Sequence, residues 1–365
     1  MGGKPKKASP GPGPGARVGR VWIDVNTPKQ VRLFDRLARR LKERGLEVLI
    51  TARRQREVEG LARVVGMECV PVGYYGGPEL EGKLRASLLR AYRLLKLVRG
   101  WRPELAISFS SPEAARVAYG LAVPHFCIND SPHAEAVARL TVPLSRRLFT
   151  PKCIPVERWT RYGISADAVV QYDAVDAAAW LRGAARPVRR RRLVVLRAAE
   201  EYASYMPKGA SVSLVEVVEG LSRAAPGFKI VVLARYGGQA ARLRERLRGR
   251  ASVPARVVDG VGLLSKACLF IGWGGTMTWE AALLGTPAIS CTPVEGLEVE
   301  AYMASLGLVR RARSVEEALE ASLEVLDRPR EWVERQVRRA EEALKSMEDP
   351  VEVVASHVEE WLSSA

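Results

Sequence analysis

The chain has 365 residues, 47% of them hydrophobic, and a formal net charge of +16 at pH 7. This length suits two domains, and the composition is that of a folded globular protein rather than a disordered one. No run reaches the roughly 18 apolar residues of a membrane-spanning helix, and no signal-peptide core follows Met1, so we expect a cytoplasmic protein.

The positive charge leaves nucleic acid, anionic lipid headgroups and anionic substrates open as partners. Much of the excess is arginine that alternates with glutamate along helices, as at residues 335–342, and the chain has only two Asn and five Gln. Helices rich in Arg and Glu, together with few Asn and Gln, are typical of a heat-adapted proteome, in which a high content of charged residues is general and does not mark a binding function. No recognisable nucleic-acid-binding module is present, so we do not expect nucleic acid. A weak peripheral attachment to a membrane surface stays open.

The five cysteines indicate a reducing environment. They lie far apart and form no C-x-x-C pair, so we interpret them as buried free thiols rather than as a disulfide framework or a zinc site; they are Cys69, Cys127, Cys153, Cys268 and Cys291. No cluster of His, Cys and Asp has metal-ligand spacing. We therefore predict neither a tightly bound metal nor a tightly bound cofactor.

In chain order, residues 1–19 are rich in Gly, Pro and Lys, which predicts a disordered basic tail. Apolar strands alternate with helical patterns over residues 20–172, which predicts a first domain with a parallel, doubly wound sheet. Residues 173–192 lack a clear period and end in four arginines, so we place the interdomain linker there. The alternation resumes over residues 193–346 as a second domain. A terminal helix within 347–365 is expected to pack back on the first domain.

The first strand ends at Asp24 and continues into the loop DVNTPKQ, residues 24–30. Open α/β sheets place ligand groups at the carboxyl ends of their strands. Asp24, Asn26 and Thr27 are therefore candidates for an acceptor or phosphate-binding loop. The alternative is that Asn26 or Thr27 only caps the next helix, with Pro28 in its first turn.

A dense polar cluster, NDSPHAE at residues 129–135, follows a later strand. Histidine suits proton transfer near neutral pH, and a carboxylate can orient it or act as the base. We therefore take His133, Asp130 and Glu135 as candidate catalytic residues. The alternative is a capped loop in which Asp130 or Ser131 begins the next helix.

Two further elements and one further candidate residue are predicted. A long amphipathic helix spans Glu79 to Arg99, and a short strand spans Ala255 to Val258. Arg197 follows the first strand of the second domain, where it could bind a phosphate in bidentate fashion. Alternatively, Arg197 forms an ion pair with Glu200 or Glu201.

The most informative pattern is ACLFIGWGGTMTWEAALLGTPAIS at residues 267–290. An apolar run leads into Gly272, Gly274 and Gly275, a helix-forming segment ends at Gly285, and a second apolar run follows, which is the pattern of one βαβ unit. Glycines at the turn let phosphates approach the backbone. The unpaired N–H groups and the dipole at the helix start favour the charge of those phosphates.

Thr276 and Glu280 are four residues apart and lie on one face of this helix near its start. A carboxylate there can accept hydrogen bonds from the two hydroxyls of a ribose. The alternative is that the glycines only make a tight turn and that Glu280 is solvated. The unit predicts a nucleotide-sugar site formed by Gly272, Gly274, Gly275, Thr276 and Glu280, with Arg197 from the end of the first strand of the second domain.

The run G-x-GG-T-x-x-x-E-A-A-x-x-G-x-P-x-I, residues 272–289, resembles the sugar-nucleotide site of the GT-B superfamily. Relatives include UDP-N-acetylglucosamine 2-epimerase and the N-acetylglucosaminyltransferase that makes lipid II. More narrowly, the chain is similar to an uncharacterised prokaryotic family, chiefly archaeal, known only as a domain of unknown function. The resemblance implies an α/β, GT-B-like fold, with two Rossmann-like, doubly wound parallel-sheet domains facing across a cleft. It also implies that Glu280 binds the ribose and that the Gly274–Thr276 backbone binds the diphosphate.

The same resemblance implies an enzyme that uses a nucleotide sugar, a UDP-sugar above all, for metal-independent transfer to an unknown acceptor or for epimerisation. In a transferase, a base near His133 or Asp130 would deprotonate the acceptor, while Arg197 would stabilise the leaving diphosphate. The first loop departs from many relatives, with residues 26–28 in place of a glycine pair. The second glutamate of some retaining transferases would fall at Ala288. The alternative from another class is a non-catalytic binder of nucleic acid or anionic membrane. The oligomeric state is not indicated.

Overall fold

The computed structural model describes residues 19–184, 192–200, 212–235, 237–256 and 258–364. Residues 1–18 of the tail predicted at 1–19, the arginine run before Arg192, and Glu201 lie outside the described residues. The predicted alternation of strands and helices is confirmed across the described ranges.

The first domain contains seven strands and the helices that connect them. The strands are β1 Arg20–Val25, β2 Glu47–Arg54, β3 Val70–Tyr74, β4 Leu105–Phe109, β5 His125–Ile128, β6 Arg147–Pro151 and β7 Val169–Tyr172. The helices are α1 Pro28–Glu43, α2 Arg56–Val65, α3 Leu80–Trp101, α4 Pro112–Gly120, α5 Glu135–Thr141, α6 Glu157–Thr160 and α7 Ala178–Leu181. All seven strands run parallel, in the order β3-β2-β1-β4-β5-β6-β7.

The second domain contains five shorter strands. They are β8 Leu193–Arg197, β9 Lys229–Leu233, β10 Leu269–Gly272, β11 Ala288–Ser290 and β12 Val309–Arg311. Its helices are α8 Leu214–Ala224, α9 Gly237–Arg246, α10 Gly260–Leu264, α11 Thr276–Leu283, α12 Glu298–Ser305, α13 Val315–Asp327 and α14 Pro329–Ser346. The strands form a parallel sheet in the order β12-β11-β10-β8-β9.

The strand orders locate where each sheet can bind a ligand. In the first sheet the order reverses between β1 and β4, and in the second it reverses between β8 and β10. At such a switch point the loops after the two strands diverge and leave a crevice at their carboxyl ends. The two crevices belong to the loops after Val25 and Phe109 and to those after Arg197 and Gly272.

The final helix, α15 Pro350–Ser364, packs against α1 and α7 of the first domain. Ion pairs join the C-cap residue of α1 to α15, with Arg44 Nη1 2.5 Å from Glu359 and Arg44 Nη2 2.8 Å from Glu352. Partly exposed pairs of this kind add only about 0.2–1 kcal/mol each, so the buried apolar face of α15 supplies most of the attachment. That face includes Val351, Val354 and Val358.

Two details differ from the sequence-based expectation. The described residues Ala255, Arg256 and Val258 are not in a strand, so the strand predicted there is wrong; the chain makes only an isolated bridge from Ser252 to Val231. Residues 173–184, expected to be linker, contain α7 and bury several alanines in the first domain. Because alanines dominate this segment, its sequence has no hydrophobic periodicity from which a helix could be predicted.

No helix within the described ranges combines the length and apolarity that crossing a membrane requires. The five cysteines are free thiols, and three of them are buried: Cys127, Cys268 and Cys291.

Candidate functional site

A cleft of about 1000 Å³ lies between the carboxyl ends of the two sheets, and both domains line it. This volume is at the upper end for small-molecule sites. Its basic side chains outnumber its acidic ones, which favours an anionic ligand. The basic residues are Lys29, Arg32, Arg53, Arg56, Lys83, Arg197, Arg235, Arg244 and Arg256, and the acidic ones are Glu57, Glu113, Asp130, Glu200, Glu280 and Glu298.

The glycine turn between β10 and α11 forms part of the cleft wall. Gly274 has φ +89° and Gly275 has φ +95°, a region that L side chains rarely adopt. A Cβ on Gly275 would also lie 2.8 Å from Nη2 of Arg235. That guanidinium donates to the carbonyl of Gly274 at 2.9 Å. The turn thus holds a cation directly beside the amino end of α11.

Glu280 lies on α11 and faces the cleft, with only 7% of its surface exposed. Trp180 of α7 donates its indole N–H to Glu280 Oε1 at 2.9 Å, so the carboxylate is held from the first domain. Burial raises the pKa of Glu280 to about 7, although Arg32 and the Trp180 hydrogen bond oppose this shift. Glu280 is therefore a buried carboxyl at the domain junction, and the alternative of a solvated helix residue does not describe it.

Thr276, the first residue of α11, also lines the cleft. Gly272 lies one step back in β10, where a Cβ would come within 2.7 Å of Thr278 and of the Phe270 ring. Its smallness therefore serves the packing of α11 on the sheet, and it is not part of the cleft lining. This corrects the expectation that Gly272 contacts the nucleotide directly.

Arg197 lines the cleft at the end of β8 and donates to the carbonyl of Ala234 at 2.9 Å. Burial and the neighbouring Arg235 lower the pKa of Arg197 to about 9, so the side chain remains a cation at neutral pH. The ion pair to Glu200 is made by Arg235 instead, at 3.4 Å. Two cations thus meet at the switch point of the second sheet.

The first loop has two roles at once. Thr27 is the N-cap residue of α1, and Oε1 of Gln30 accepts hydrogen bonds from the backbone N–H groups of Asn26 and Thr27 at 2.5 and 3.2 Å. Asn26 and Thr27 also line the cleft. The capping and cleft-facing interpretations therefore hold together for this loop.

Asp24 does not line the cleft, which corrects its assignment to the ligand-binding loop. It is fully buried beneath the loop and forms a bidentate pair with Arg90 of α3, at 2.6 and 2.9 Å. Burial alone would raise its pKa, but Arg90 and the hydroxyls of Thr51 and Ser111 lower it. Asp24 thus fixes α3 to the sheet.

The opposite wall of the cleft carries Asp130 and His133. Asp130 accepts from Lys29 Nζ at 2.8 and 2.9 Å, and Lys29 lies 3.7 Å from Asp176. Burial would raise the pKa of Asp130, yet Lys29 and the hydrogen bonds lower it to about 2. Burial and the charge of Asp130 raise the pKa of Asp176 to about 8. The charge of Asp130 therefore favours the protonated form of Asp176, and Tyr172 donates a hydrogen bond to that carboxyl.

His133 lies half-buried beside this group, and burial lowers its pKa below the ordinary 6.5. A neutral imidazole is the form that accepts a proton. Glu135 is exposed on α5, pairs with Arg139 at 2.6 Å and is not among the cleft-lining residues. Its assignment to the catalytic group is corrected, because the turn of α5 directs it to solvent.

Three residues of this site are missing from the sequence-based prediction: Lys29, Asp176 and Arg235. Lys29 and Arg235 each follow a strand end, which is the only signal they give. Among the described residues, no group of three or more His, Cys, Asp or Glu side chains could hold a metal ion.

A family model described as protein of unknown function (DUF354) matches residues 19–363. An uncharacterized protein of Methanocaldococcus jannaschii is 29% identical over an alignment of 296 residues that covers 78% of this chain and 84% of that one. Among solved structures, UDP-GlcNAc 2-epimerase of Neisseria meningitidis bound to UDP-GlcNAc has a TM-score of 0.70 at 15% identity, covering 95% of this chain and all of that one. Spinosyn rhamnosyltransferase complexed with thymidine diphosphate has a TM-score of 0.57 at 18% identity, covering 92% and 99%. The chain has the GT-B fold that these structures share.

Proposed function

This chain belongs to the DUF354 family of proteins of unknown function, and we propose that it is an enzyme that acts on a nucleotide sugar, with UDP-linked sugars as the substrate class. The observation that carries the proposal is that Glu280 and the Gly274–Gly275 turn line the same cleft as Asp130 and His133 of the other domain. One wall thus offers groups for a ribose diphosphate, and the other offers a proton acceptor.

In the proposed complex, the diphosphate lies at the amino end of α11, where backbone N–H groups and the helix dipole favour negative charge. Arg197 and Arg235 neutralise it, so the chain's own cations supply the charge stabilisation that a departing diphosphate needs. Glu280 accepts hydrogen bonds from the ribose hydroxyls. Support for this placement comes from the motif and from the cleft geometry.

The reaction we propose is glycosyl transfer. His133, as a neutral imidazole, takes the proton of the acceptor hydroxyl as that oxygen attacks the anomeric carbon and the bond to the diphosphate breaks. Asp130 has too low a pKa to be the stronger base, so its charge instead stabilises the imidazolium that forms. Lys29 keeps Asp130 ionised.

Epimerisation of the sugar is the second candidate. The higher TM-score to the epimerase of Neisseria meningitidis than to the rhamnosyltransferase, 0.70 against 0.57, favours it. An epimerase needs no acceptor, so the two reactions are separable. The test incubates the purified chain with UDP-N-acetylglucosamine alone and then analyses the nucleotides and sugars. A sugar of changed configuration supports epimerisation, and no change without an acceptor favours transfer.

Binding is tested before turnover. A thermal-shift screen of nucleotides and nucleotide sugars should show stabilisation by UDP-linked sugars in the native protein and a smaller shift in Glu280→Ala. If no nucleotide raises the melting temperature, the proposal is wrong.

A further inference from the structure

The solvent face of α3 carries a continuous row of exposed apolar side chains. Leu80 is 82% exposed, Leu84 60%, Leu88 63% and Tyr92 56%, and Leu95 continues the row at 37%. Soluble proteins expose single apolar residues routinely, but a contiguous row marks an interaction surface. We name Leu80, Leu84, Leu88, Tyr92 and Leu95 the leucine row.

Helical geometry explains why the leucine row is separate from the core. Its members recur every three or four residues and so share one face of the helix. The buried side chains of α3 are Ala86, Arg90, Leu94 and Val98, also four apart, on the opposite face. The helix is thus apolar on two faces, and only one of them contacts the sheet. The core of this chain does not require the second face.

Basic side chains border the leucine row. Arg85, Arg93, Lys96 and Arg99 are all exposed on α3, whereas Glu81 is the one exposed acidic residue of the helix. The Lys96 ammonium lies 4.5 Å from the centre of the Tyr92 ring. A helix with leucines on one face and arginine and lysine beside them lies in the interface of an anionic bilayer, with the leucines among the acyl chains and the cations at the headgroups.

We propose that the leucine row and its four flanking cations bind the surface of an anionic lipid bilayer. The charge selects this occupant over a second copy of the chain, since pairing two identical faces would bring the arginines of one against those of the other. An anionic surface neutralises them instead. The inference depends on α3 alone and not on the proposed function.

The position of α3 gives the binding a consequence for the cleft. Lys83, Ala86 and Ser87 line the cleft from the same helix, directly beside Leu84 and Leu88. A bilayer that covers the leucine row therefore lies at the rim of the cleft. An acceptor carried in the lipid surface would be within reach of that opening.

Vesicle sedimentation of the full chain tests the proposal. Vesicles of phosphatidylcholine with about a third phosphatidylglycerol are compared with vesicles of phosphatidylcholine alone. The native protein should bind the anionic vesicles, and Leu84→Gln with Leu88→Gln should weaken this binding by about tenfold or more. The matched control is Val64→Gln with Leu140→Gln, two apolar residues that are similarly exposed on other helices. It should bind like the native protein. Residues 1–18 are present in every variant and contribute equally.

A second variant, Arg85→Glu with Lys96→Glu, tests the charge. Each substitution should lower the affinity for anionic vesicles by about fivefold or more, so the effects of the two should multiply in the double variant. The affinity for neutral vesicles should not change. All substituted residues are exposed, and thermal unfolding verifies that each variant is folded.

Equal binding by the glutamine variant of the leucine row and the native protein would overturn the proposal, and so would no binding of native protein to anionic vesicles. A native dimer that this variant converts to a monomer, without vesicle binding, would assign the row to a second copy and would also overturn it.

Discussion

Replacing Glu280 with glutamine tests two effects of this buried carboxyl: the stability that the protein loses when it ionises, and the binding of a ribose. Its pKa is raised from 4.5 to about 7, so the folded protein holds the proton more tightly than the unfolded chain does. Stability therefore falls as the pH rises from about 4.5 to about 7, by about 3 kcal/mol at 1.36 kcal/mol per pKa unit. Glutamine keeps an oxygen for Trp180 but has no charge. We expect Glu280→Gln to raise the free energy of unfolding by up to about 3 kcal/mol at pH 8, and by less than about 1 kcal/mol at pH 5.

The same substitution should weaken nucleoside binding. An ionised acceptor contributes about 1.5–3 kcal/mol per hydrogen bond and a neutral one about 1 kcal/mol, so affinity for uridine at pH 8 should fall by roughly two- to thirtyfold for each hydrogen bond to the ribose. In the native protein, affinity should rise about tenfold from pH 6 to pH 8 as the carboxyl loses its proton, and the glutamine variant should lose this dependence. Uridine has no phosphate that titrates over this range.

Urea unfolding at the two pH values and calorimetric titration with uridine measure these effects. Glu57→Gln is the control, because it removes a carboxylate from the cleft wall of the first domain. The uridine affinity of this variant should stay within about twofold of the native value. If Glu280→Gln were no more stable at pH 8, or bound uridine with native affinity and pH dependence, the reasoning about this carboxyl would be refuted.

Three further substitutions test the remaining parts of the cleft. Gly275→Ala should lose about 1–2 kcal/mol of stability to backbone strain, together with UDP binding, whereas Gly296→Ala, at φ +68° with no neighbour within 4 Å, should lose only stability. Asp130→Asn should lower the pKa of Asp176 from about 8, because the neighbouring negative charge is gone. An NMR titration of the Asp176 carboxyl measures this change. Arg197→Gln should weaken UDP by roughly ten- to hundredfold in calorimetric titration and leave uridine affinity unchanged, since only UDP carries the diphosphate.

Each of these has a contrary outcome. Native UDP affinity in Gly275→Ala would remove the turn from the binding site. An unchanged titration of Asp176 in Asp130→Asn would show that burial alone sets its pKa. Equal losses of uridine and UDP affinity in Arg197→Gln would assign this arginine to folding rather than to the diphosphate.

The fold could be predicted because its physical causes are local. Most strands are short apolar runs bounded by turn residues, and most helices have a period that marks one face, so the βαβ alternation is visible in the sequence. Local signals fail where an element is very short or lacks a period. β12 has three residues, two of them arginines, and α7 lies among alanines.

The site could be predicted only where glycines and strand ends mark it. The Gly274–Gly275 turn and Glu280 follow from one contiguous motif. Asp176 lies in none of the strand-end loops and reaches Lys29 through packing between distant segments, so no local sequence pattern predicts its place in the site. Asp24 shows the reverse error: a carboxylate at a strand end is the expected ligand, but Arg90, 66 residues away, takes it as a partner.

The return of α15 to the first domain makes that domain discontinuous in sequence, with the second domain inserted between its two parts. The chain therefore passes between domains twice, once after α7 and once near Glu348, whose backbone N–H donates to the carbonyl of Asp173 at 3.0 Å. A protease that cut one passage would leave the halves tethered by the other. A truncation after Ser346 would strip the first domain of a packed helix rather than trim a tail, and would uncover the side of α1 that packs against α15.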